Sequence, residues 1–141
     1  MEILRLKPTD DLSAFWTILS TFRTNLSNET YKEVVSEMME DGFHLIYILD
    51  NLEIAAFAGY RYVQKLFTGK TIYIDDLFTL PTYRGKGYAA SLLKYIHEEA
   101  EATGMNKVEL DSGPTRNDAH RLYLNSGYII SSMHFSRPVS I

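Results

Sequence analysis

The apolar residues of this chain change period several times, and each change marks an element. Ile3-Leu4-Arg5-Leu6 alternates and reads as a strand, and Pro8-Thr9-Asp10 stops it and caps a helix. Leu12, Phe15, Trp16, Leu19 and Phe22 then recur at helical spacing. A second helix is predicted to start near Ser27-Asn28, with Tyr31, Val34, Val35 and Met38 on one face and Gly42 past its end. Three strands follow as a meander, His44 to Leu49, Ile54 to Val63 and Thr71 to Thr79, with turn residues at Asp50-Asn51 and Thr68-Gly69-Lys70. Connections this short imply antiparallel pairing. Ala89, Leu92, Leu93, Ile96 and Ala100 form the apolar stripe of a third helix, closed by Gly104. Lys107 to Asp111 is a short strand, and the crossover helix before it makes it parallel to the strand ending at Thr79. Thr115 to Ser126 is a last helix with Ala119, Leu122 and Tyr123 inward, and Tyr128 to Phe135 a last strand. The expected fold is mixed α/β, over residues 1–141 as one domain. Its central, mostly antiparallel sheet has about six or seven strands and one parallel junction, and about four helices flank it.

Composition narrows the function. A chain of 141 residues, 45% hydrophobic and 23% charged, fits an ordinary globular domain. A net charge of −4 gives no bulk attraction to nucleic acid or to an anionic membrane. No apolar run approaches the ~20 residues of a membrane span, and the N-terminus lacks a signal-peptide core, so a cytoplasmic location is the default expectation. The absence of cysteine excludes disulfides, thiolate metal sites and cysteine nucleophiles. His44, His97, His120 and His134 show no metal-ligand spacing, so no metal is expected.

The chemistry concentrates between Leu77 and Ala90. A strand runs into Pro81, then into a turn carrying Gly85 and Gly87, then into a helix. Such a junction aims free N–H groups and the positive end of a helix at one spot, which suits a phosphate or diphosphate. The bland alternative is a structural turn. A second reading is a dinucleotide site, because Gly85, Gly87 and Ala90 satisfy G-x-G-x-x-A and Asp111 follows at ribose-binding distance. Topology weighs against it, since an antiparallel meander precedes the turn and only one βαβ unit can be drawn.

A third reading is more specific. Arg84-Gly85-Lys86-Gly87-Tyr88-Ala89 fits R/Q-x-x-G-x-G/A, the mark of the GNAT family of N-acetyltransferases. Leu77-Phe78-Thr79-Leu80-Pro81 resembles that family's L-x-V-x-P lead-in, with Thr79 for valine. Asn117-Asp118-Ala119-His120-Arg121-Leu122-Tyr123, continuing to Gly127-Tyr128, is similar to its late N-x-x-A-x-x-x-Y-x-x-x-G-F segment, with alanine two rather than three residues after Asn117.

The resemblance implies acetyl-CoA as acetyl donor and a small-molecule amine or peptide as acceptor. Backbone N–H groups from Arg84 to Ala89, with the side chains of Arg84 and Lys86, would hold the diphosphate. Main-chain groups of Leu77, Phe78 and Thr79 would pair with the pantetheine and the acetyl oxygen, and Asn117 belongs to the same cofactor set. Tyr123 would protonate the leaving thiolate. Asp75 is the candidate base, expected to share a strand face with Tyr73, Leu77 and Thr79, while Asp76 points away. The alternative for Asp75 is an anion that binds substrate or pairs with a lysine or arginine. The acceptor groove is expected between the first two helices and the strand ends near Tyr60, Tyr73 and Asp75, with Trp16, Phe22 and Tyr31 as wall or core residues. Acidic residues from Glu29 to Asp41 form either an attractor for a cationic acceptor or a solvated helix face. Without cysteine, an acetyl-enzyme through sulfur is impossible, so direct transfer in a ternary complex is expected. A homodimer through Ile129 to Arg137 is compatible with the resemblance. A non-catalytic acyl-CoA sensor is the rival in which the glycines matter and Asp75 and Tyr123 do not.

Overall fold

In the computed structural model, which describes residues 1–140, five strands pair in the order in which the chain makes them. They are β1 (Ile3–Arg5), β2 (His44–Asp50), β3 (Glu53–Lys65), β4 (Gly69–Thr79) and β5 (Lys107–Leu110). The first four are antiparallel neighbours, and β4 and β5 are parallel. The helices are α1 (Trp16–Phe22), α2 (Tyr31–Glu40), α3 (Tyr88–Ala102) and α4 (Asn117–Asn125). Everything through Leu110 forms one compact unit, and a second begins at Asp111 and contains α4. A dinucleotide fold requires repeated parallel units, and this sheet has a single parallel pair.

Register sorts the first unit's strand residues between two faces. Leu45, Phe57 and Phe78 point to the side of α1 and α2, where Leu12, Phe15, Ile18, Leu19, Tyr31 and Val35 complete a core. Ile46, Ile48, Ala56, Ala58, Ile72 and Ile74 point the other way and are buried, as are Leu92, Leu93, Ile96 and Ala100 of the helix that crosses β2, β3 and β4. Small residues in β3 let the layers close. At Gly59 an added Cβ would stand 2.2 Å from the Phe43 ring, so no larger residue fits there without moving that ring.

At the C-terminal end of α3, Glu99 gathers polar groups from two strands, β1 and β3. Its carboxylate accepts hydrogen bonds from Tyr60 (2.7 Å), Tyr62 and Arg5. Arg5 also donates to His44 Nδ1 at 3.0 Å. A guanidinium only donates, so Nδ1 must be unprotonated to accept. Burial, then the Arg5 charge, hold His44 below its ordinary pKa of 6.5, with Glu99 opposing.

Two expectations need correction. Helix α2 starts at Tyr31 rather than near Ser27-Asn28, because Ser27 instead accepts turn bonds from Thr30 and Tyr31. The strand expected over Tyr128 to Phe135 does not form, so the sheet has five strands rather than six or seven. Ile129-Ile130 and Ser131-Ser132 come in like pairs, which puts apolar side chains on both faces of any extended segment and gives no sheet a face to bury. Among the described residues, no helix is long and apolar enough to cross a membrane.

His44 and His97 are both held below their ordinary pKa, chiefly by burial. Their neutral forms therefore stabilise the fold fully above pH 6.5, and the contribution is lost as pH falls through the folded-state values. The midpoint of thermal unfolding is expected to drop by several degrees from about pH 7.5 to about 5.5, and His44→Gln should flatten that slope. Calorimetry across the range measures both. An equally steep slope in the variant contradicts the assignment to His44.

Candidate active site

The site is built on one irregularity in β4. Tyr60 lies opposite Ile74 and Gly59 opposite Asp76, so Asp75 is an extra residue, a β-bulge. A bulge shifts the alternation by one. Tyr73 and Asp76 therefore face α1, while Leu77 and Thr79, opposite Ala58 and Ala56, face the side of α3. The expectation that Asp75 shares a face with Leu77 and Thr79 fails for this reason. Both aspartates instead reach arginines. Asp75 accepts two hydrogen bonds from Arg61, at 2.9 and 2.6 Å, and Asp76 accepts two from Arg23 at the end of α1, at 2.9 and 2.6 Å. Burial lifts the Asp76 carboxyl above its ordinary pKa even with Arg23 pulling the other way. Tyr60 is fully buried beside Glu99 on the α3 side, so it cannot line a groove with Tyr73 and Asp75. Tyr31 is a core residue, and Trp16 and Phe22 are half-buried against that core. Trp16 packs on Tyr31, Phe22 stacks on Phe78 at 4.6 Å, and the Tyr31 hydroxyl donates to the Leu12 carbonyl.

Past the bulge, β4 loses its parallel neighbour. The β4–β5 ladder runs from Thr71 opposite Lys107 to Ile74 opposite Leu110 and ends there. Leu80 donates its N–H to Ala55, so in an alternating strand Leu80 and Phe78 turn their main-chain groups to β3. Those of Leu77 and Thr79 turn to the opposite edge, where Arg84 Nε reaches the Thr79 carbonyl at 3.4 Å. Of the three residues expected to offer main-chain groups, the register thus separates Leu77 and Thr79 from Phe78.

The chain then makes a 3₁₀ turn over Pro81–Tyr83 and enters the glycine loop. Gly85 and Gly87 have φ of 83° and 79°, and an added Cβ on either would meet nothing within 4 Å. Glycine is required there by conformation, and the space beside both is open. Among the described residues, the N–H groups from Gly85 to Ala90 donate to no main-chain carbonyl, the first such bond of the helix being Ser91 to Gly87 at 3.0 Å. The loop therefore presents consecutive unpaired donors at the N-terminus of α3, with its positive dipole end. This is the chemistry a diphosphate needs, and the residues present fit one.

Side chains around the loop are fixed by the turn between β2 and β3. Asp50 accepts from Lys86 Nζ at 2.9 Å and from the Tyr88 hydroxyl at 2.6 Å, and Glu53 accepts from the Tyr83 hydroxyl at 2.7 Å. The bonds from Tyr88 and Lys86 hold Asp50 below the ordinary carboxylate range, and Asp50 in return raises Lys86. Glu53 pushes Tyr83 up to about 12. None of these acids belongs to a motif. They flank a hairpin turn, 30 to 38 residues upstream of their partners, and only the folded register brings them near.

The remaining candidates belong to the second unit. Asn117 is the exposed first residue of α4, and Tyr123 is buried further along that helix, its ring 5.9 Å from that of Tyr128. Burial raises the Tyr123 pKa.

Gly87→Asp tests the loop directly. Left-handed backbone costs a residue with a Cβ about 1–2 kcal/mol, and the carboxylate would occupy the space beside the donors. CoA affinity measured by calorimetry should fall by about 100-fold or more while circular dichroism stays native, with Gly87→Ala losing only the part due to strain. Retained affinity in Gly87→Asp would place the ligand elsewhere.

The chain is similar to known proteins along most of its length. Residues 12–128 match the family described as acetyltransferase (GNAT) family. The chain is 32% identical over 141 residues, 99% of both chains, to an uncharacterized N-acetyltransferase, YhdJ, of Bacillus subtilis strain 168. It is 27% identical, over 95% of this chain and 89% of the other, to an aminoalkylphosphonate N-acetyltransferase of Salmonella typhimurium. An aminoglycoside N-acetyltransferase AAC(6')-Iy solved in complex with CoA shares the fold, with a TM-score of 0.84 and 14% identity over 98% of this chain and 94% of that one. The glycine loop, the mixed sheet with its one parallel pair and the match over most of its length together show that the chain belongs to the acetyltransferase (GNAT) family, the acyltransferases that use acetyl-CoA.

Proposed function

We propose that residues 1–141 act as one catalytic domain that transfers the acetyl group of acetyl-CoA directly to a primary amine of a small molecule or peptide, with both substrates bound at once. The observation that carries this reading is the run of unpaired N–H groups from Gly85 to Ala90, adjoining a strand edge that has lost its parallel neighbour. The loop and Arg84 hold the diphosphate, and the outward main-chain groups of Leu77 and Thr79 take the pantetheine and the thioester oxygen. Donors placed where negative charge develops on that oxygen supply a few kcal/mol of the rate.

The chemistry is then three proton movements around one substitution. The ammonium gives its first proton toward Asp75, directly or through water, and the neutral amine so formed attacks the thioester carbonyl. The C–N bond forms, the C–S bond breaks, and the nitrogen sheds its second proton to solvent as the amide forms. A carboxylate already accepting two hydrogen bonds from Arg61 is a weak base, so its larger contribution is to attract and orient the ammonium before it loses its proton. Tyr123, assigned by its place in the family motif, gives a proton to the departing sulfur, and the products are an amide and CoA. With no cysteine in the chain, no acetyl-enzyme through sulfur intervenes. The relative acting on aminoalkylphosphonates puts those amines first in an acceptor panel, beside aminoglycosides, polyamines and peptides.

Thermal shift with acetyl-CoA, CoA, NAD and NADP tests the donor, since a ligand of the native state raises the midpoint. Stabilisation by CoA and acetyl-CoA is expected, and a response to NAD or NADP alone refutes the reading. Release of free CoA across the amine panel identifies the acceptor. With it, Tyr123→Phe should lower kcat by about 10- to 100-fold at nearly constant acetyl-CoA affinity, and Asp75→Asn should lower kcat/KM for the amine by about 100-fold. Turnover unaffected by both changes would remove Asp75 and Tyr123 from the mechanism, and CoA binding with no turnover on any amine would leave an acyl-CoA sensor in place of an enzyme.

A further inference from the structure

The glycine loop carries two cations, Arg84 and Lys86, next to donors suited to a polyanion. One of them is already engaged. Lys86 Nζ lies 2.9 Å from Asp50 Oδ2, and the same oxygen accepts from Tyr88, the first residue of α3, at 2.6 Å. Asp50 closes β2, where the chain turns through Asn51 and Leu52, both at positive φ. The carboxylate side chain is 22% exposed and the lysine 51%, so the pair adds little to stability. An acid placed beside an anion site opposes binding unless it does something else there. What it does is visible in its partners: it ties down the first side chain of the helix whose N–H groups form the site, and it occupies the loop's own ammonium. Among the described residues, Arg84 pairs with no carboxylate. Its Nε reaches the Thr79 carbonyl, and its guanidinium lies 5.7 Å from the centre of the Phe78 ring.

We infer that Asp50 is a positioning residue of the cofactor loop: it draws Lys86 away from the diphosphate and anchors the start of α3 through Tyr88, leaving recognition to main-chain N–H groups and Arg84. The inference rests on the reading that acetyl-CoA binds at this loop, and it deepens that reading by separating the two cations. Selection then follows the fixed geometry of the donors rather than the sum of nearby charges. An ammonium on a long flexible stem attracts any anion, whereas a row of amides and a planar guanidinium attract one of the right shape.

The test is a cycle of four proteins: the wild type, Lys86→Gln, Asp50→Asn and the double variant. CoA affinity is measured by calorimetry at low and at physiological ionic strength. With Asp50 present, Lys86→Gln should change the dissociation constant by no more than about twofold. With Asp50→Asn, Lys86 is released, so the salt dependence should steepen and Lys86→Gln should now cost about fivefold at low salt. Asparagine keeps an oxygen for Tyr88, so the cycle isolates the charge. Tyr88→Phe keeps the ring and removes the tether, and it should weaken binding about threefold at either ionic strength.

Equal costs for Lys86→Gln in the two backgrounds, whether both large or both negligible, would show that Asp50 does not control Lys86 and would overturn the inference. Unchanged affinity in Tyr88→Phe would overturn its anchoring half. Absence of CoA binding by the wild type, or full binding by Gly87→Asp, would instead overturn the functional reading on which the inference stands. A merely structural Asp50 would lower the unfolding midpoint in both lysine backgrounds without changing the cost of Lys86→Gln between them.

Discussion

A strand in mid-sheet normally has two neighbours, and β4 keeps both only as far as Ile74. Four residues of β5 satisfy its first stretch, and from Asp75 onward β3 alone pairs with it. The main-chain groups of Leu77 and Thr79 face the open side. A peptide group withdrawn from water without a partner costs about 1–3 kcal/mol, so this edge has to meet water, side chains or a ligand. Extended ligands that carry amides can meet it as a strand would. The bulge at Asp75 sharpens the effect, since a bulge bends its strand and increases the local twist. The same residue reverses which side chains face which layer.

The glycine loop extends this edge without interruption. From Leu77 to Ala90 the chain passes from outward strand groups, through a 3₁₀ turn, to the unpaired donors at the head of α3. The two halves suit different chemistry, the strand offering both donors and acceptors and the loop only donors. A ligand with an amide-bearing arm and a diphosphate matches them in that order. Conformation enforces the arrangement: Gly85 and Gly87 must be left-handed for the chain to turn, and their lack of Cβ atoms keeps the donors accessible.

This division also explains what could be read from the residues alone. The antiparallel meander, the crossover helix and the parallel strand were legible because their apolar periods were long and their turns carried Gly, Asp and Asn. The loop was legible because its conformation depends on glycine, which has few substitutes at positive φ. Illegible features depended on register or on distance along the chain. A bulge leaves no mark in an alternating pattern, so the faces of Asp75, Leu77 and Thr79 came out wrongly sorted. Arg23 and Arg61 lie 53 and 14 residues from the aspartates they pair with, and Asp50 lies 36 from Lys86. Tyr60 looked like a groove residue because its strand position was right, yet its hydroxyl is committed to Glu99. The segment after Tyr128 resembles a strand because its residues favour strands one by one, yet their paired order fits no single face.

The charges around β4 form one pattern. Asp75 with Arg61, Asp76 with Arg23 and Asp50 with Lys86 are opposite charges brought together from different elements. Each pair leaves little net charge, so the field near the loop is set largely by oriented main-chain dipoles and Arg84. For a protein of net charge −4 that handles a polyanion, this arrangement has a physical logic. Free ammonium groups would raise affinity for every phosphate in solution, and salt would weaken that attraction. Dipoles fixed by the backbone act over short range and favour only an anion that fits between them. The bulge aspartate follows the same rule. Arg61 keeps Asp75 in place, so any cation that reaches it meets a carboxylate whose position is set before it arrives, and orientation rather than basicity becomes the larger share of what that residue can give.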